Sequence, residues 1–223
     1  MKKISRRETV EDTNVKPEVV DFSQRLSGNL VIKCLLDRDL RNEFILNYSH
    51  FEKDGNRSIL VQWINEHLTS SNNELLENIF DLSVNIDFYG LELLSKAEEI
   101  VSGRYYELTK LAVLDWVLFN SIKIEPLRFY TINCTAFKKT KQRLVKLQAA
   151  VNLTLYDDVH LSKVSTILMK EHYPTAFYRL VNSFDHMDDK KRQVFINLIE
   201  NSFNTMLNKN VIHDLELKIN EYR

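Results

Sequence analysis

Few stretches of this chain bring chemically able side chains together. The densest is FDHMDDKKR, Phe184 to Arg192, where Asp185, His186, Asp188 and Asp189 stand close together. Carboxylates and an imidazole at this density could hold a metal ion. The same acids suit the positive end of a helix dipole. The stripe Phe195, Leu198, Ile199 and Phe203 that follows favours the second reading, a helix start. His50, His67, His160, His172, His186 and His213 include no pair at i+3 or i+4, so no helix face carries two imidazole ligands. Cys34 and Cys134 sit in VIKCLL and TINCTAF, apolar settings that raise a thiol pKa and suit core packing. Asp115 falls within an apolar run, where an unpaired carboxylate is very unfavourable, so it is expected to be ion-paired or to border a groove. No GxGxxG, P-loop, GxSxG or HExxH pattern occurs. The reading is of a non-enzymatic chain with no catalytic residue, cofactor or metal.

Charge is more informative. The chain carries a formal −1, yet segment 71–102 holds seven carboxylates against Lys96 alone, a net of −6. Segment 126–156 holds Arg128, Lys138, Lys139, Lys141, Arg143 and Lys146 with no acid, a net of +6. In NNELLENIFDLS, helical spacing puts Glu74, Glu77, Asn78 and Asp81 on one face and Leu75, Leu76, Ile79 and Phe80 on the other. Ser71 and Glu74 form a capping-box pattern that accounts for Glu74. Glu77 and Asp81 have no such local role. The candidate partner-binding set is therefore Glu77, Asn78, Asp81, Asp87 and Glu92, with Glu92 and Lys96 at pairing distance along a helix. Lys139, Arg143 and Lys146, at i, i+4 and i+7, give a secondary basic face.

These residues need a scaffold. Four Gly and three Pro among 223 residues leave little material for hairpins or phosphate loops, and 44% of the residues are hydrophobic, enough for a sizeable core. Residues 1–17 read as a flexible polar arm and 18–223 as a single α-helical domain. Helical periodicity predicts helices at 18–36, 38–52, 57–69, 72–84, 88–101, 104–122, 126–134, 137–153, 158–171, 174–185, 189–206 and 210–222. Pro126 and Pro174 suit helix first turns, and Asp157-Asp158 and Asn208 suit caps or turns. The segment 104–122 is apolar on nearly every face from Tyr105 to Ile122 and belongs mid-stack. Trp63, Trp116, Tyr105 and Tyr106 fall at core spacing. Short connections predict antiparallel hairpins with a period of about 30–40 residues, an all-α array of about 10–12 helices in the manner of an α-solenoid. Stacked in a line, the charge blocks stand roughly 20 Å apart, beyond the ~8 Å screening length, and each stays available to a partner. No run reaches the ~20 apolar residues of a membrane span, no apolar leader follows the basic start, and a reduced, cytoplasmic setting is expected.

Size, hairpin rhythm, the acidic face of NNELLENIFDLS and an Asn-, Lys- and Ile-rich composition resemble HEAT-like all-α immunity proteins of bacterial toxin–immunity systems of the contact-dependent inhibition type. The resemblance covers most of the chain after residue 18 and rests on no diagnostic motif. It implies a protein partner, a basic cognate toxin domain of nuclease type, with Glu77 and Asp81 standing in for the anionic substrate. Two alternatives remain. A nucleic-acid-binding protein, or one similar to HEAT-like DNA glycosylases, would use the basic 126–156 segment; the adjoining acidic block opposes this, and nucleic acid is not the expected partner. A regulatory scaffold would bind a peptide or protein on the same surfaces.

Overall fold

A computed structural model describes residues 56–168, 174–203 and 208–223, together with Lys33, Leu36, Asp37, Asp39, Leu40, Arg41, Glu43 and Phe44. The arm at 1–17, most of the helices expected at 18–36 and 38–52, Cys34, His50 and His172 lie outside the described residues. The described helices are α1 (Asn56–His67), α2 (Asn73–Asn85), α3 (Leu91–Ser102), α4 (Glu107–Phe119), α5 (Pro126–Lys139), α6 (Arg143–Tyr156), α7 (Leu161–Leu168), α8 (Pro174–Asn182), α9 (Asp189–Ser202) and α10 (Lys209–Asn220). Short 3-10 turns cover Asp158–His160 and Phe184–His186. No strand occurs among the described residues, and none of their helices is long and apolar enough to cross a membrane.

The helix starts follow from side-chain chemistry, with one correction. Pro126 and Pro174 open α5 and α8, where a missing N–H costs nothing. Asp157 accepts from the Val159 N–H, and Asn208 accepts from the Asn210 N–H before α10. At α2 the cap is Asn72, whose Oδ1 accepts from the N–H groups of Glu74 and Leu75 at 3.0 and 3.3 Å. Ser71 therefore does not cap, and the expected capping box is absent. Asn outcompetes the serine before it because its carbonyl reaches two of the first-turn donors at once.

Packing follows a two-row plan. Helix α2 packs on α4, α4 on α6, α6 on α8 and α8 on α10, while α3 packs on α5 in the other row. The pairs α3–α4 and α5–α6 join the rows. A helix that touches its neighbour two places along the chain is the geometry of stacked hairpins. Helix α4 is central, as its all-round apolar sequence predicts. It buries Leu111, Ala112, Val113, Leu114, Trp116, Val117 and Leu118, and even Thr109 and Lys110. The Trp116 indole N–H donates to the Phe88 carbonyl at 3.0 Å, and its ring lies parallel to Tyr89 and edge-on to Phe80. Two apolar clusters result, one centred on α2–α5 and one on α8–α10. Helix α6 serves both, with Val145 and Ala149 in the first and Leu147, Ala150 and Val151 in the second.

Three expectations about apolar residues are corrected. Tyr106 is 72% exposed, because it precedes α4 as its cap residue. Ile122 is 92% exposed, because α4 stops at Phe119 and Asn120 turns its side-chain amide back onto the Trp116 carbonyl. Cys134 is half-buried rather than sealed in the core.

Candidate functional site

The alternate helices α2, α4, α6 and α8 bring polar side chains together along one side of the stack. At its centre Arg179 of α8 reaches across to α4, and its Nη1 donates to both carboxylate oxygens of Asp115 at 3.0 Å and to the Gln148 Oε1 at 3.4 Å. Gln148 Nε2 donates to Asn152 Oδ1, and Asn152 Nδ2 donates to the Leu114 carbonyl and to Asn133 Oδ1. Gln148, Asn152 and Asn133 are buried, so the network is a satisfied one that runs from the surface through α6 to α5. Above it opens a cleft of about 460 Å³, within the size range of ligand pockets. Asp115, Arg179, Gln148 and His186 are among its polar lining residues, and Leu118 and Phe119 form part of its apolar wall. Asp115 is thus both ion-paired and at a groove. Burial pushes its carboxyl above the usual range, offset in part by the Arg179 guanidinium, and 42% of its side-chain surface still reaches solvent.

The acidic set divides. Glu77 and Asp81 are half-buried on α2. Burial is the largest cause raising both carboxyls; Asp81 raises Glu77 further, and Arg41 draws both back. Asp81 also lies in the field of Arg179, and its charge raises Asp115 in turn. So Glu77, Asp81 and Asp115 form one interacting group across α2 and α4. Asn78 is corrected: it is only 5% exposed, and its Oδ1 accepts from the Arg41 guanidinium, so it is an internal contact rather than part of a displayed face. Asp87 lies beyond the end of α2, at φ 49, paired with Lys123 at 2.5 Å. Glu92 stands in the first turn of α3, in the other row. Lys96 pairs with Glu99 at 2.9 Å, and Tyr105 donates to the same carboxylate, so the expected Glu92–Lys96 pair is not the one formed.

The basic block is also rearranged. Arg128 binds Glu98 through Nε and Nη2 at 2.5 and 3.1 Å, so the two charge blocks meet at this point and are not wholly separate. Lys139, Arg143 and Lys146 do not share one helix face. Helix α5 ends at Lys139, and α6 begins at Arg143 after a turn in which the Gln142 N–H donates to Thr140 Oγ1. Lys146 and Lys163 instead both lie over the Phe137 ring, at 5.8 and 5.4 Å from its centroid. Lys163 also donates to His160 Nδ1 at 2.8 Å, and burial, then that ammonium, hold the imidazole below its ordinary pKa.

In FDHMDDKKR, Asp188 caps α9 by accepting from the Lys191 N–H at 2.8 Å, as the helix-start reading predicts. Among the described residues no cluster of three His, Cys, Asp or Glu gathers as a metal site. The sequence reading did not single out Arg179, Gln148 or Lys163. The first two were findable: Asp81, Asp115, Gln148 and Arg179 recur at 34, 33 and 31 residues, the period of the helical pairs. The chain matches no family model, no curated protein and no solved structure.

Proposed function

We propose that this protein is a non-catalytic binding module whose acidic α2–α4 surface receives a basic protein partner in the cytoplasm. The observation that carries the reading is that Asp115 is ion-paired to Arg179 at 3.0 Å while Asp81, on the preceding helix of the same row, lies in the fields of Arg41 first and Arg179 second. Among the described residues, with Glu77 and Arg41 the group holds three carboxylates against two guanidinium ions. Burial already disfavours the ionised carboxylates and pushes all three above their ordinary range. A lysine or arginine brought by a partner supplies the missing positive charge and also steers the encounter. The resemblance to all-α immunity proteins supplies the partner class, a cognate toxin domain of nuclease type whose substrate-binding basic side chains meet Glu77 and Asp81.

The test is capture of partners from the native host on wild-type protein and on Glu77→Lys/Asp81→Lys, followed by titration of the captured partner against both. Loss of at least about 30-fold in affinity, measured below the variant's melting transition and with helicity unchanged, is expected for reversal of two interfacial charges. A partner that binds the double variant as tightly as the wild type refutes the acidic surface. A captured signalling or transcription protein, in place of a toxin, keeps the surface and replaces immunity with the scaffold reading.

A further inference from the structure

We propose that the lysine-rich end formed by α5, α6 and α7 is a second interaction surface, shaped for the phosphate backbone of nucleic acid. It is independent of the acidic surface above. The end gathers Lys138 and Lys139 from the last turn of α5, Lys141 from the turn, Arg143 and Lys146 from the first turn of α6, and Lys163 from α7. Among the described residues none of these six forms an ion pair with a carboxylate, whereas Arg128, from the same basic segment, is bound to Glu98. Phe137 draws Lys146 and Lys163 onto one ring, which concentrates positive charge where no carboxylate of the described residues pairs with it. The first turn of α6 adds to this. It carries two cations and no acid, and its cap residue, Gln142, makes no side-chain cap bond. Cations there oppose the helix dipole, and an external anion relieves the conflict.

Six cations at one end, none ion-paired among the described residues, match the dense, regularly spaced charge of a phosphate backbone: the five lysines bind phosphate as point charges, and Arg143 adds a fork that fits a phosphate group. Between Phe137 and Leu147 no large apolar residue is exposed to insert into a bilayer, and binding to anionic vesicles is the outcome the test separates from binding to DNA. The acidic face is set apart in the row: α4 packs between α2 and α6, and the point where the two charge blocks touch is closed by Arg128–Glu98.

The test is fluorescence anisotropy with end-labelled random-sequence duplex DNA, titrated at several salt concentrations. Four phosphate contacts give a log–log slope of about −3.6, or roughly 150-fold weaker binding at 200 mM salt than at 50 mM. The exposed triple variant Lys139→Glu/Lys141→Glu/Arg143→Glu should lose detectable binding with an unchanged circular dichroism spectrum. Lys146→Gln/Lys163→Gln, which is close to isosteric, should flatten the slope by about two if both lysines touch phosphate. No DNA binding by wild type at 50 mM salt overturns the proposal. So does a slope shallower than about −1, binding that survives both variants, or binding to phosphatidylserine vesicles without binding to DNA.

Discussion

Replacing Arg179 with Met tests the central cleft most directly. Methionine keeps much of the side-chain volume but removes the guanidinium, leaving Asp115 beside Asp81 and Gln148 Oε1 without its donor. Breaking a fully buried pair costs about 3–5 kcal/mol. Here the side chains are 22% and 42% exposed, so water takes up part of the loss and about 1–2 kcal/mol is expected. That lowers Tm by roughly 2–8 °C for a chain of this size. The sign of the pH dependence also follows. The folded-state pKa of Asp115 lies above its model-compound value of 3.8, so the folded chain binds that proton more tightly than the unfolded chain. The contribution of Asp115 to stability therefore falls as pH rises from below 3.8 through the folded pKa, and is flat above it. Arg179→Met raises that pKa further and widens the window. The assay is urea unfolding at neutral and mildly acidic pH for Arg179→Met, Asp115→Asn and the double variant. Asp115→Asn should cost less in the Arg179→Met background than in wild type, because it removes a carboxylate already stranded. Additive single effects, with a coupling under about 0.3 kcal/mol, would refute the pairing.

Three further outcomes follow from other parts of the fold. Asn72→Ala should cost about 1 kcal/mol and Ser71→Ala almost nothing, as read by thermal melting; the reverse order would restore the capping box. Asn152→Ala should cost about 2–4 kcal/mol in denaturant, since it strands Asn133 Oδ1 in the interior and takes the Asn152 acceptor from Gln148 Nε2, and a loss under about 1 kcal/mol would mean the network is not intact. Glu99 is held below its usual pKa by the Tyr105 hydroxyl first and Lys96 second, so its stabilisation is present above pH 4.5 and is lost as pH falls through the folded pKa. With 55% of its side chain exposed, Glu99→Gln should cost about 0.3–0.8 kcal/mol at neutral pH and nothing in acid, and a pH-independent difference would remove the charge argument.

The fold was legible where apolar spacing and punctuation agreed. Pro126, Pro174 and Asp188 mark the starts of α5, α8 and α9, and the all-round apolar character of α4 places it mid-stack. It was illegible where a turn had no Gly or Pro to announce it. KKTKQR continues a helical pattern, yet the chain breaks there because Thr140 offers its hydroxyl to the Gln142 N–H in place of a helical partner. That break moves Lys139 off the face of Arg143 and Lys146. Asn78 was misplaced for a related reason: helical spacing says which residues share a face, but not that Arg41 would cover one of them. Glu77 and Asp81 could be named from their lack of a local partner. The basic side chains that answer them could not, because Arg41 and Arg179 lie 36 or more residues away from both and meet them only through tertiary packing.

The repeat that no copied motif revealed is written in the long-range polar bonds. Asn73 binds Tyr106 and Thr109, Phe88 binds Trp116, Asp87 binds Lys123, Glu98 binds Arg128, Gln148 binds Ser183 and Tyr178 binds Asp214, each across 28 to 36 residues. Each of these links one helical pair to the next, the nearest-neighbour pattern of a stacked array. The Asp115–Arg179 pair is different, spanning 64 residues and passing over α6 to join α4 to α8. Helix α6 is also where the two apolar clusters divide. One ion pair therefore ties together the two halves of the core across their shared helix, and the same carboxylate faces the acidic surface of α2. A cation bound at Asp81 and Asp115 would compete with Arg179 for those charges, so occupancy of the acidic surface and closure of the two halves draw on the same guanidinium.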